Sequence, residues 1–254
     1  MNTTHRLAQT LWTTTLVAFS AAAHADITLV RQGFITPSVF GGTDKMTSTI
    51  SVKDGKTRME EHNTLIRDGK ERWHGAELSI TDADSKQGYY FNPSRHTYSV
   101  YPYRPGISVM PGMKDPPPAT VTALPGSKTF LGHSCRGYHI VKSNPSIYYT
   151  TVTADVYVAT DLPPIDVFSQ HGGPIWEAAD AFQRIGGTPL HMDMTAIGRD
   201  KRQATFTVDV TSFSTKLVRD NVFSIPKGYT LVPPPPPPAA YHAPDTQSTQ
   251  GKDK

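Results

Sequence analysis

The chain has 254 residues, 37% hydrophobic and 19% charged, with 25 Lys and Arg against 22 Asp and Glu and a formal net charge of +3. So mild a balance argues against nucleic acid or an acidic membrane surface as the partner. A single cysteine excludes a disulfide within the chain.

In chain order, residues 1–25 carry Arg6 as their only Lys or Arg, then an apolar stretch from Leu11 to Ala23, and end in Ala23-His24-Ala25. That order is the pattern of a secretory signal peptide with an A-x-A cleavage site. The mature chain is expected to begin at Asp26 and, having lost Arg6, to carry a net charge of +2 instead of +3. A membrane span needs roughly 20 predominantly apolar residues, and here Thr13, Thr14 and Thr15 interrupt a short stretch. No cysteine near the cleavage point offers a lipid anchor. The expectation is a soluble exported protein without a transmembrane span, periplasmic in a two-membrane bacterium and secreted in a one-membrane one.

Period-two alternation dominates the mature chain. After a short candidate strand at 27–32, Met46, Ser48, Ile50 and Val52 alternate with Thr47, Thr49, Ser51 and Lys53, and Lys56 to Glu61 follow across Asp54-Gly55, which predicts a hairpin. Glu60-Glu61 and the run Asp82, Asp84 fit solvated strand ends better than paired catalytic carboxylates. Further candidate strands lie at 77–82, 87–91 and 96–101. They gather Tyr89, Tyr90, Phe91, Tyr98, Tyr101 and Tyr103, joined later by Tyr148, Tyr149 and Tyr157. Such rings either pack across strands or rim a partly open apolar cavity. Residues 101–124 hold so many prolines and glycines that they predict a long loop or flap.

The segment "GHSCRGYHI", residues 132–140, holds the lone cysteine between candidate strands at 127–131 and 136–142. A nucleophile elbow needs Gly-x-Ser-x-Gly before a helix. Here Gly137 arrives one residue late and a strand follows. A reactive thiolate needs a cation beside it, but Arg136 points to the opposite face of a strand from Cys135, while His133, Gly137 and His139 share its face. A half-buried thiol packed in the sheet is favoured over catalysis. On an unbroken strand Cys135 and Tyr138 face opposite ways, and a bulge at Gly137 would bring them together.

In "TTVTADVYV" Val152, Ala154, Val156 and Val158 share one face, and in "ATFTVDVTS" Ala204, Phe206, Val208 and Val210 do. Their threonine-rich opposite faces fit antiparallel sheets wetted on one side. The one firm helix is expected over 174–185, with Pro174 in the first turn, a stripe of Ile175, Ala179, Phe182 and Ile185, and Gly186-Gly187 as its stop. In the strand at 189–196, His191 and Asp193 share one face while Met192 and Met194 share the other. Two residues are half of a metal site, which needs three or four converging ligands, so a polar outer face over a methionine-lined core is favoured. No phosphate-cradling glycine loop or dinucleotide fingerprint is present, so no cofactor, metal or catalytic residue is assigned. The end, "LVPPPPPPAAYHAPDTQSTQGKDK", is expected to be a polyproline rod at Pro233–Pro238 followed by a polar disordered tail. The expected organisation is therefore a signal peptide at 1–25, a single β-rich domain at 26–231 and a tail at 232–254.

Taken together, "DGKTRME", "YYFNPSRHTYSVYP", "TFLGHSCRGYHI" with its Gly-x-x-Cys-x-x-Tyr spacing, "TADVYVATDLP" and "VFSIPKGYTLV" resemble, in this order, the exported bacterial family DUF4412. That family is similar to lipoprotein carriers and receptors of the LolA/LolB type. The resemblance implies a curved antiparallel sheet or half-barrel covered by one or two helices, with the flap at 101–124 and the insert at 163–187 as local elaborations. It implies structural roles for Gly132, Cys135, Tyr138, Phe223, Pro226, Gly228 and Tyr229, and no catalytic residue. The expected function is the binding of a hydrophobic or lipid-like ligand between the sheet and the helix at 174–185, with Tyr89, Phe91, Tyr98, Trp176, Phe182 and Phe206 as lining. The alternative is a cell-envelope interaction protein with a solid core that engages a protein partner through residues 232–254.

Overall fold

A computed structural model describes residues 26–38, 41–102, 118–143, 149–165 and 179–234. The first half contributes β1 (Ile27–Thr36), β2 (Thr43–Lys53), β3 (Lys56–Arg67), β4 (Lys70–Asp82), β5 (Gln87–Asn92) and β6 (Thr97–Pro102). The second half contributes β7 (Thr120–Phe130), β8 (His133–Ser143), β9 (Tyr149–Ala159), a short helix α1 (Ala179–Ile185), β10 (Thr188–Gly198), β11 (Gln203–Ser214) and β12 (Thr230–Leu231). The twelve strands form one open sheet in the order β12-β6-β5-β4-β3-β2-β1-β11-β10-β9-β8-β7. All pairings are antiparallel except that of β12 with β6. The N-terminal strand β1 thus lies inside the sheet, between β2 and β11. An open sheet of this width curls as strand twist accumulates.

Local sequence explains the meander. Asp54-Gly55, Asp68-Gly69 and Leu131-Gly132 each place two successive residues at positive φ, the conformation of the two-residue turns that match strand twist. Alternation then assigns the faces. The inner face carries Leu29, Ile50, Met59, Val152, Val156, Met192, Met194 and Val208 in the larger buried cluster. On β4–β6 the apolar side is the outer one, where Leu78, Ile80 and Phe91 are buried together with Tyr89, Tyr98 and Tyr229. The C-terminal segment covers that outer side. The Val218 amide donates to Asp26 Oδ2 at 2.8 Å, Lys53 Nζ to the Val218 carbonyl at 3.0 Å and Arg58 Nη1 to the Val222 carbonyl at 2.9 Å. Tyr229 then stacks edge-on to Phe91, and β12 adds to the edge of β6.

Several expectations need correction. Residues 62–67 and 70–76 belong to β3 and β4, which are far longer than the short runs predicted, and β1 extends to Thr36. The interval 101–124 is not loop throughout, since β6 runs to Pro102 and β7 starts at Thr120. Its residues 103–117 lie outside the described ones. Pro125 is tolerated because β7 is an edge strand and its register shifts between Ala123 and Ser127, so no ladder donor is required there. Among the described residues α1 is the one α-helix, seven residues long, and two covering helices are not seen. Residues 174–178, including Trp176, lie outside the described set. The described part of the helix buries Ala181 in the larger cluster and packs Phe182 and Ile185 against it, while Arg184 Nη2 donates to the Ala119 carbonyl at 2.5 Å. No helix among the described residues is long and apolar enough to cross a membrane.

One charged pair interrupts the inner apolar face. Arg31 on β1 and Glu61 on β3 approach to 3.5 Å, with side chains 0% and 5% exposed. Ser48 Oγ and Asn63 Nδ2 donate to the two Glu61 oxygens at 2.9 and 3.0 Å. Removing one member of such a pair strands the other charge in the interior, so Arg31→Met is expected to destabilise the fold by about 3–5 kcal/mol in urea unfolding. The double variant Arg31→Met/Glu61→Gln should recover more than half of that loss. A single-variant loss no larger than that of a surface change would contradict the buried pair.

Candidate ligand-binding site

Direct cross-strand pairing aligns Arg31, Ser48, Glu61 and Glu77 on β1, β2, β3 and β4. Partners in register project from the same face, so these four side chains form one polar rung across the inner face. The rung has one positive and two negative groups. Arg31, Ser48 and Asn63 engage Glu61. Glu77, at the end of the rung, forms no hydrogen bond or ion pair among the described residues. Its carboxyl is held above the ordinary glutamate range, first by partial loss of water and then by the negative charge of Glu61, although the side chain still reaches solvent.

Glu77 opens onto a groove of about 560 Å³ whose lining includes Met59, Trp73, Gly75, Ser79, Tyr90 and Asn92. Pairing stops at Leu78↔Phe91 on this side of β4, so the strand's first half overhangs β5 and leaves the groove open. Trp73, Gly75, Glu77 and Ser79 alternate along β4 and share a face. The indole lies flat along the strand over Gly75, where an added Cβ would fall 2.1 Å from Trp73 Cη2. Only glycine allows the ring to take that position. Tyr90, the direct partner of Ser79, stands against Tyr101 in an edge-on contact at 5.2 Å. Trp73 is 52% and Tyr90 41% exposed, so two large rings on the inner face remain half uncovered.

Of the six residues expected to line a single cavity, the five described ones fall in two separate clusters. Tyr89, Phe91 and Tyr98 pack with Tyr229 on the outer side of β4–β6. Phe206 is buried in the larger cluster, which Phe182 flanks. Trp176 is not among the described residues. Gly132 forms the β7–β8 turn, with φ of 84°. Cys135 is fully buried with its thiol pushed up, mainly by burial. Beta8 pairs with β9 in unbroken register from Cys135 to Ser143, so Cys135 and Tyr138 face opposite ways. Phe223 ends the 3-10 turn at Asp220–Phe223, and Pro226, Gly228 and Tyr229 lead from it into β12. His191 and Asp193 lie on the outer side, where His191 bridges Asp209 at 2.6 Å and Asp193 at 3.0 Å, while Met192 and Met194 are buried inside. His139 meets Asp155 at 2.6 Å beside a second, polar recess. Among the described residues no group of three His, Cys, Asp or Glu side chains could hold a metal ion.

Sequence reasoning missed Arg31, Trp73 and Glu77. Arg31 carried a signal: it falls at an inward position of the alternation Ile27, Leu29, Arg31, Gly33, Ile35. The segment "KERWHGAEL" carried a weaker one, a tryptophan in a charged stretch with glycine two residues on.

The chain matches the family described as "Domain of unknown function (DUF4412)" over residues 35–229. Among solved structures, it is similar to a LolA superfamily protein from Nitrosomonas europaea, at 8% identity, 80% of this chain, 91% of that chain and TM-score 0.34. It is similar to a putative outer membrane lipoprotein-sorting protein domain from Vibrio parahaemolyticus, at 8% identity, 78% and 89% coverage and TM-score 0.31. A DUF1329 family protein from Desulfovibrio piger is similar at 7% identity, 80% and 91% coverage and TM-score 0.26. No curated protein matches the chain.

The raised Glu77 carboxyl sets a pH-dependent stability. Above its folded-state pKa, Glu77 is ionised in both folded and unfolded chains and the fold carries the burial cost. As pH falls through that pKa, the folded chain takes up the proton first and is relieved of the cost. Glu77→Gln should therefore raise the Tm at about pH 8 and lose the advantage near about pH 4, where an unfolded glutamate is itself largely protonated. A Tm difference that does not change with pH would contradict this placement of Glu77.

Proposed function

The chain belongs to the DUF4412 family, and from its own geometry we propose that it is an exported binding protein that holds an apolar or lipid-like ligand on the inner face of its sheet. The observation that carries this reading is the pair of half-exposed rings, Trp73 and Tyr90, in a groove of about 560 Å³. That volume is within the roughly 300–1,000 Å³ of small-molecule sites. An indole kept over Gly75 and a phenol braced by Tyr101 are rigid walls, which lose little conformational entropy when a ligand covers them. The ligand's seat moves, in this reading, from under the helix at 174–185 to the β4–β5 side, because the described part of α1 is packed against filled core. Export rests on the leader-like order of residues 1–25.

A second reading rests on a different surface. Leu217, Ile225 and Leu231 are 82%, 41% and 57% exposed along the C-terminal segment that leads into residues 232–254. A protein partner of the cell envelope would meet the molecule there, and no small ligand would be held.

One experiment separates the two. With N-phenyl-1-naphthylamine as an apolar fluorescent probe, the intact mature protein should bind saturably, and Trp73→Ala should weaken binding by about tenfold, equivalent to ~1.4 kcal/mol. Deletion of residues 235–254 should leave binding in place. Absence of saturable uptake by the intact protein would favour the second reading.

A further inference from the structure

The inner-face rung does not balance its charge. Arg31 neutralises Glu61, to which Ser48 and Asn63 also donate. Glu77, directly opposite Glu61 in the pairing of β3 with β4, has no Lys or Arg against it among the described residues. A carboxylate held beside a like charge is unfavourable in isolation and becomes favourable once a cation meets it. The groove around it offers what an organic cation uses: the indole of Trp73 along the strand toward Glu77, the phenol ring of Tyr90 on the neighbouring strand, and the Met59 thioether on the floor. Aromatic faces attract ammonium groups through their quadrupoles, most strongly where water is excluded.

We infer that the groove selects amphiphilic ligands with a cationic head, seating an ammonium group against the Glu77 carboxylate between Trp73 and Tyr90. This rests on the apolar-ligand reading above and adds to it the chemistry of the headgroup. The apolar chain of such a ligand lies along Met59 and Trp73. An anionic head meets the Glu77 carboxylate and is rejected. Arg31 does not offset this, because its side chain is fully buried and β2 and β3 lie between its strand and that of Glu77.

The test is calorimetric titration of the mature protein with decyltrimethylammonium and with decyl maltoside, both below micelle formation. These probes share a chain and differ in head charge. The cationic probe should bind about tenfold or more tightly than the neutral one. Glu77→Gln should bring the ratio of the two affinities close to one, and Tyr90→Leu, which keeps the carboxylate, should reduce it several-fold. Equal affinities in the wild-type protein would overturn the cationic-head inference and leave the apolar-ligand reading standing. Failure of both probes to bind would overturn the two together.

Discussion

The Arg31–Glu61 pair organises the inner face. Beta1 is the strand from which both halves of the sheet extend, and Arg31 sits near its middle with no exposed side-chain surface. Any charge there must be met from a neighbouring strand, and it is met from β3, across β2. On the β11 side the direct neighbour of Arg31 is Val210 and the face is apolar through β9. Past Glu61, the face becomes polar and aromatic. The pair therefore separates a filled core from an open groove, and Glu77, one strand further on, is left without a cation among the described residues because Arg31 is engaged at Glu61.

The same boundary explains why the apolar side switches. On β4–β6 the inner positions are Glu77, Ser79, Thr81, Tyr90, Ser99 and Tyr101, so the hydrophobic positions Leu78, Ile80, Phe91 and Tyr98 must be buried on the outer side. A sheet cannot bury that side alone, and the C-terminal segment supplies the cover through Tyr229. Lys53 and Arg58 hold the segment by its carbonyls. With its outer side closed in this way, the β4–β5 region leaves its inner side uncovered by the described residues.

Much of the architecture was legible in the sequence. Alternation in "TTVTADVYV" and "ATFTVDVTS" assigned the faces of β9 and β11, Asp54-Gly55 marked the β2–β3 turn, and the methionines of "HMDM" are buried while His191 and Asp193 face outward. What escaped had physical causes. The first half of β4 is rich in charge because it overhangs β5, so its alternation is weak, and in the second half of β3, "HNTLIR", Leu65 is the one buried apolar side chain. The first half of β7 escaped because an edge strand can hold a Pro-Gly bulge. The clustered tyrosines were visible, but the assignment of Tyr89, Phe91 and Tyr98 to one face and Tyr90 and Tyr101 to the other depends on register with β4. Glu77 could not be singled out because its lack of a partner is a property of four strands brought together.

The described residues thus form an open β-sheet with one side of its edge region closed by the C-terminal segment and the other left as an aromatic groove ending in a carboxylate that none of them neutralises. The most direct test is native mass spectrometry of the protein purified without detergent from its own cells. The account predicts a population carrying the added mass of an apolar small molecule, released by organic solvent. A mass equal to that of the bare chain in every charge state, together with a groove closed by side chains in a crystal structure, would contradict it.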